Sequence, residues 1–115
     1  MGVYLVYMTA GSGEEARKIA GELVASRLAA CANIIDGMRS VYRWEGRIQE
    51  DREVVLIAKT TEERLAALTD TVRRLHSYDC PCVVAIPVSG GNTAFLEWVT
   101  AETLAEKKSS ESAAD

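Results

Sequence analysis

The chain has 115 residues, a length typical of one domain, and 48% of them are hydrophobic while 26% are charged. Its net charge is −4 and it has no block of lysines and arginines, so we expect no nucleic-acid partner, because phosphate binding needs a concentrated positive field. No segment approaches the roughly 20 consecutive apolar residues of a membrane span. Three cysteines, an odd number, without a visible export signal predict free thiols in a reducing cytoplasm.

The first two predicted elements are a strand and an amphipathic helix. An apolar run over residues 3–9 is typical of a strand that is covered on at least one face. Ser12 and Glu15 then form the capping-box pattern that begins a helix. Apolar residues recur in that helix at helical spacing, at Ala16, Ile19, Ala20, Leu23, Val24 and Leu28.

A long hairpin follows. Residues 31–44 and 47–60 predict two antiparallel strands, and Glu45-Gly46 provides the reversal between them. Asp36-Gly37 interrupts the first of these strands as a turn or a bulge.

The second half predicts a helix, a strand and a terminal helix. Apolar residues at 3-4-3 spacing predict a helix over 61–75, begun by a capping box of Thr60 and Glu63. The apolar run over 82–88 predicts a strand. A last helix is expected with Asn92 or Thr93 as its cap and with Phe95, Leu96, Val99 and Leu104 as its apolar side.

The order βαββαβ, with an extra C-terminal helix, predicts an α+β, ferredoxin-like domain over residues 1–106, with two helices on one face of a four-stranded antiparallel sheet. Residues 107–115 are small and polar and predict a disordered tail. The second sheet face and the long hairpin, which carries Tyr42 and Trp44, have no cover within so small a subunit. We therefore expect self-association through these residues, and a trimer would close such an arrangement by symmetry.

The segment HSYDCPCVVAIPV, residues 76–88, holds the only histidine and two of the three cysteines. Imidazole, carboxylate and thiolate are the main metal-binding side chains, so the segment is a candidate metal site. The competing interpretation is structural: His76 ends a helix as its cap, and the cysteines are small buried hydrophobes. A zinc-finger pattern is missing, because there is no second pair of ligands.

Four segments together resemble the CutA family, which is associated with tolerance to divalent cations. They are RLAACANII (27–35), VYRWEGRI (41–48), LIAKT (56–60) and HSYDCPCVVAIPV (76–88), the last of which is followed by FLEW (95–98). The resemblance implies a ferredoxin-like fold, a homotrimer similar to the PII signalling proteins, and sites in the clefts between subunits. It implies no established enzymatic reaction.

The resemblance also implies that copper and other divalent ions bind through Cys31 and His76. The chain departs from the family pattern where two glutamates are expected, because it has Asp79 and Cys82 there, and Cys80 is a further thiol. Thiols soften a site towards copper(I) or zinc. We expect His76 and at least one cysteine to bind the ion, with an oxygen from Asp79, and we expect folding to need no metal.

Two other functions compete with metal binding. A PII-like sensor would bind an anionic metabolite between subunits, with Lys59 and Tyr78 as candidate contacts, although an ion pair and turn chemistry explain these residues as well. An enzyme would use Cys31 or Cys82 as nucleophile and His76 as base. The resemblance favours metal binding over both.

Overall fold

A computed structural model describes residues 2–105 of the chain. The elements, in chain order, are β1 (Val3–Ala10), α1 (Gly13–Ala25), β2 (Cys31–Trp44), β3 (Arg47–Thr61), a 3₁₀ turn (Glu62–Arg64), α2 (Leu65–Leu75), β4 (Val83–Pro87) and α3 (Thr93–Glu102). The predicted tail, residues 107–115, lies outside the described residues. Within the described part of the chain, the helices are all too short or too polar to cross a membrane.

The four strands form one sheet in the order β2-β3-β1-β4, and every neighbouring pair is antiparallel. This order confirms the predicted ferredoxin-like arrangement, in which the two central strands are the first and third along the chain. The pairing of β1 with β3 runs from Val3 opposite Thr61 to Ala10 opposite Val54.

The main core lies between one face of the sheet and the helices α1 and α2. Its fully buried side chains are Val6 and Met8 from β1, Leu56 and Ala58 from β3, Ile19 and Leu23 from α1, and Leu68 and Val72 from α2. Each large apolar side chain buried there contributes about 1.5–3 kcal/mol relative to exposure. Because side chains alternate along a strand, the residues between them point to the opposite face. That opposite face is called the open face below.

Helix α1 begins as predicted. The backbone N–H of Glu15 donates to Ser12 Oγ at 3.1 Å, and Glu15 Oε1 accepts from the backbone N–H of Gly11 at 3.1 Å. In this capping box the Glu15 carboxylate therefore accepts from the residue before the N-cap, Gly11, and not from Ser12.

The capping box predicted at Thr60 and Glu63 is wrong. Thr60 is the penultimate residue of β3, and its fully buried hydroxyl donates to the Leu28 carbonyl at 2.7 Å. Thr61 occupies the N-cap position of the 3₁₀ turn, but its side chain makes no capping hydrogen bond. The strand therefore continues further than the sequence pattern indicated, and α2 starts only at Leu65.

Helix α3 covers one end of the open face. Val99 is fully buried against Val3 and Ala30, and Leu96 packs beside them. The predicted apolar side of α3 was too broad, because Phe95 remains 42% exposed and Leu104, which is 61% exposed, lies beyond the end of the helix. Of the predicted apolar side, the row that contains Leu96 and Val99 packs against the sheet.

The β2–β3 hairpin extends beyond the rest of the sheet. Its register shifts between Ile35 and Met38, where Gly37 has φ +83°, so the interruption is a bulge. The ladder then continues to Trp44 opposite Arg47, well past the last residue of β1. This projection makes the molecule 57 Å long.

Candidate functional site

His76 ends α2 and is held by hydrogen bonds at both ring nitrogens. Its side chain is only 1% exposed. Nε2 lies 2.7 Å from the Thr9 carbonyl oxygen, to which it donates, and Nδ1 accepts from the backbone N–H of Tyr78 at 3.0 Å. These partners fix the neutral tautomer with the proton on Nε2. In this arrangement the ring has no lone pair left for a metal ion or for a proton taken from a nucleophile.

Glu15 fastens the segment after α2 to the first turn of α1. Its Oε2 accepts from the backbone N–H of Ser77 at 2.6 Å and lies 3.6 Å from Nδ1 of His76. Partial burial raises the pKa of Glu15, but the hydrogen bonds from Ser77 and Gly11 outweigh it and hold the pKa below its usual value.

Tyr78 and Glu53 join this segment to the hairpin. The Tyr78 hydroxyl donates to Glu53 Oε2 at 2.8 Å, and Ser40 Oγ donates to Oε1 of the same carboxylate at 2.6 Å. The Tyr78 ring packs 4.6 Å from the His76 ring. Burial and the Glu53 carboxylate raise the pKa of Tyr78 well above its ordinary value. The segment 76–79 is thus anchored to β1, α1 and β3.

The cysteines of the described residues are all free and lie in different surroundings. Cys82 is half-buried just before β4, and burial together with the Glu53 charge raises the pKa of its thiol. Cys80 is exposed in a bend before β4. Cys31 is half-buried at the start of β2, opposite Lys59.

One chain does not bring Cys31 and Cys82 together. Cys31 is level with Leu5, whereas Cys82 comes just before Val83, which pairs with Met8, and three strand spacings separate β2 from β4. These offsets correspond to about 13 Å along the strands and about 14 Å across them. The two thiols therefore cannot share an ion within one subunit.

Within the described residues, the candidate donors of a single chain are not gathered into one metal site. Asp79 is exposed, and His76 is committed at both nitrogens. Across residues 2–105, no three or more histidine, cysteine, aspartate or glutamate side chains are grouped so as to hold an ion.

Lys59 and Tyr78 are also far apart. Lys59 Nζ donates to Asn33 Oδ1. Tyr78 bonds to Glu53, which lies six residues away along β3, or about 20 Å. The two side chains therefore do not form one anion site in the subunit.

The interface candidates Tyr42 and Trp44 lie on the hairpin, 40% and 55% exposed. Tyr7 of the open face donates from its hydroxyl to Met38 Sδ at 3.4 Å, so alternation places Met38, Tyr42 and Trp44 on that same face. The Tyr42 hydroxyl donates to Asp51, and this hydrogen bond raises the pKa of Tyr42.

Sequence reasoning missed the roles of Glu15 and Glu53. Glu15 was recognised only as a capping residue, although that pattern does place its carboxylate at the start of α1. Glu53 ends a charged stretch in the hairpin, and nothing in the sequence distinguishes it from its neighbours.

The chain matches the family model described as "CutA1 divalent ion tolerance protein" over residues 4–102. The chain belongs to this family. It is 46% identical over 99 residues to "Protein CutA 1, chloroplastic" of Oryza sativa, a match covering 86% of this chain and 56% of the rice protein. This chain spans about half the length of the curated plant relatives that it matches.

Solved CutA structures share the fold. The divalent cation tolerance protein Cut A1 of Thermus thermophilus has a TM-score of 0.87 at 44% identity, covering 88% of this chain and 98% of its own. "Periplasmic divalent cation tolerance protein CutA" of Archaeoglobus fulgidus has a TM-score of 0.86 at 40% identity, covering 89% and 99% of the two chains.

Proposed function

We propose that this CutA-family protein is a homotrimer that binds divalent cations, copper or zinc, and acts in tolerance or response to them. The observation that carries the proposal is the family match over residues 4–102, whose name refers to divalent ion tolerance. The relatives from Thermus and Archaeoglobus bear the same designation.

The open face supports self-association. Ile35, Val84 and Ile86 are 52%, 50% and 48% exposed, and they belong to the face that α1 and α2 leave uncovered. Among residues 2–105, no strand pairs with the outer edges of β2 and β4. Apolar surface and open strand edges of this kind favour association, and three subunits around one axis would cover both.

In the proposed assembly, donors from neighbouring subunits would complete a metal site that the described residues of one chain do not form. Cys31 lies at the sheet edge that a neighbouring subunit would cover, and thiols suit copper(I) and zinc. We propose that thiols from Cys31 and Cys82 meet a partner's donors at the junctions between subunits, with Asp79 adding an oxygen. His76 would bind the ion only after losing the hydrogen bond from Tyr78, so its first role is to hold the segment 76–79 in place.

We propose a cytoplasmic location on the basis of the three free thiols. The designations "chloroplastic" and "periplasmic" among the relatives show that the family is not confined to one compartment. We propose no catalytic step. A PII-like metabolite sensor is not favoured, because the family designation concerns ions and because Lys59 and Tyr78 are far apart.

Light scattering and calorimetric titration with copper and zinc salts test the proposal. The wild type should have the mass of three chains and bind the ion, whereas Cys31→Ser and Cys82→Ser should weaken binding. Affinity should fall as pH drops, because thiolates must stay deprotonated to bind.

His76→Ala tests whether the histidine contributes to ion binding beyond holding the fold, and Asp70→Asn, which removes a surface carboxylate from α2, is the control. Asp70→Asn should bind as the wild type does. Equal affinities in the wild type and in both cysteine variants would remove the support for a thiol site.

A further inference from the structure

Cys80 and Cys82 are soft metal donors that the fold leaves uncommitted. Both thiols are free, with Cys80 exposed and Cys82 half-buried. Across residues 2–105 neither thiol has a hydrogen-bond partner, whereas the His76 ring is occupied at both nitrogens. The connection between α2 and β4 therefore keeps two sulfur donors accessible after its imidazole has been used to hold the fold.

This connection is fixed at both ends. On one side the backbone N–H of Ser77 donates to Glu15 Oε2 at 2.6 Å. On the other side β4 begins at Val83, which pairs with Met8. Pro81 lies between the two cysteines, and its ring fixes the backbone angle φ. Such restraints reduce the conformational entropy that the loop loses when both thiols bind the same ligand.

Two thiols at this spacing are close enough to bind one ion. One residue separates Cys80 from Cys82, and the α-carbons of residues i and i+2 are at most about 7 Å apart. Two sulfurs bound to one ion at about 2.3 Å each are at most about 4.6 Å apart. Because a cysteine sulfur is two bonds from its α-carbon, rotation about χ1 brings the two sulfurs within this range.

The number and the type of the donors indicate copper(I). Thiolates are soft ligands that select copper(I) and zinc. Structural zinc is almost always bound by four ligands, twice the number that this pair supplies. Copper(I) accepts two thiolates as a complete ligand set, so a pair of cysteines within one chain suits copper(I) better than zinc.

The charges around the loop favour a bound cation over a reactive thiolate. Asp79 directly precedes Cys80, and the Glu53 carboxylate is held at the loop by the Tyr78 hydroxyl at 2.8 Å. Negative charges of this kind oppose the isolated thiolate that a nucleophilic cysteine needs. They attract a positive ion instead.

We propose that Cys80 and Cys82 of a single chain together bind one copper(I) ion. Each thiol loses its proton on binding, and both sulfurs then donate to the ion. This pair is called the loop site below. The inference rests on the proposed role in copper tolerance or response, but the loop site needs no second subunit and no contribution from Cys31.

Anaerobic titration with copper(I), in competition with a chromogenic copper(I) chelator, tests the loop site. The wild type should bind one tight copper(I) per chain. Cys80→Ser and Cys82→Ser should each weaken this binding by about a hundredfold or more, since even a partner outside the ligand set is worth about 10–100-fold. Cys31→Ser is the matched control, the same change in a half-buried thiol of β2, and should bind as the wild type does.

Two further measurements support the titration. Circular dichroism checks the fold of each variant, and because Cys80 is exposed, Cys80→Ser carries the test if Cys82→Ser does not fold. X-ray absorption spectroscopy of the wild type loaded with one equivalent of copper(I) identifies the ligands. We expect two sulfur neighbours and no imidazole. An imidazole signal would show that His76 is a ligand and would overturn the loop site.

The outcomes separate the loop site from the proposed function. A wild type that takes up divalent copper or zinc but no copper(I) would overturn the loop site alone. Weaker binding in Cys31→Ser and Cys82→Ser, with Cys80→Ser unchanged, would place the thiol site between subunits and would also overturn it. Equal weakening in all three variants would show one shared cluster, with the same consequence. A wild type that takes up neither copper(I) nor divalent ions would overturn the proposed function as well.

Discussion

Replacing His76 by alanine should destabilise the fold rather than simply remove a metal ligand. The side chain is 1% exposed and bonds to the Thr9 carbonyl and the Tyr78 N–H. Thr9 is buried, so its carbonyl would lose a partner at a cost of about 1–3 kcal/mol, and the bond to Tyr78 contributes about 1 kcal/mol. We expect a loss of about 2–4 kcal/mol in the free energy of unfolding.

Guanidinium denaturation followed by circular dichroism measures this loss, with chelator present and with protein concentration fixed, because the stability of an oligomer depends on concentration. Asp79→Ala, an exposed change in the same segment, is the control and should stay within about 0.5 kcal/mol of the wild type. A His76→Ala protein as stable as the wild type would refute the hydrogen-bond account of this residue.

Three further predictions concern the same region and the need for metal. The pKa of the Glu15 carboxyl is lowered in the fold, so Glu15 stabilises the protein at pH values above its ordinary pKa of about 4.3, and this stabilisation is lost as pH falls through the lower folded pKa. Glu15→Gln should therefore flatten the acid limb of a profile of stability against pH. An unchanged acid limb would contradict this. The pKa of Tyr78 is raised, so Tyr78 should stay protonated near pH 10, and Tyr78→Phe should leave the tyrosinate absorbance that appears there unchanged. A loss of one tyrosine's share of this absorbance in the variant would show that Tyr78 ionises as an ordinary phenol. Adding a chelator should leave the helical circular dichroism intact, because the core is apolar and closed without an ion; unfolding on chelation would contradict this.

The fold could be predicted because its signals are local and periodic. Alternation in the strands, the helical stripe at Ile19 and Leu23, and the turn at Glu45-Gly46 each specify an element without information from distant residues. The errors occurred where tertiary contacts override such patterns. Thr60 matches a helix cap in sequence, but its hydroxyl bonds to the Leu28 carbonyl, 32 residues away.

The candidate site was harder to predict, because it depends on which donors the fold occupies. The proximity of His76, Cys80 and Cys82 in sequence suggested a shared ion. The structure turns His76 inward to Thr9, leaves Cys80 exposed in a bend, and half-buries Cys82 before β4. Spacing along the chain carries no information about a carbonyl 67 residues away that bonds to the histidine first.

Native mass spectrometry of protein purified without chelators and without an affinity tag tests the central claim most directly, since it reports the number of chains and the bound ion in one spectrum. We expect a species of three chains that carries copper or zinc, and we expect the ion to leave together with the trimer when the assembly is dissociated. A single-chain species, or a trimer that takes up neither ion when copper and zinc salts are added, would contradict the account of this protein as a trimer that binds divalent cations.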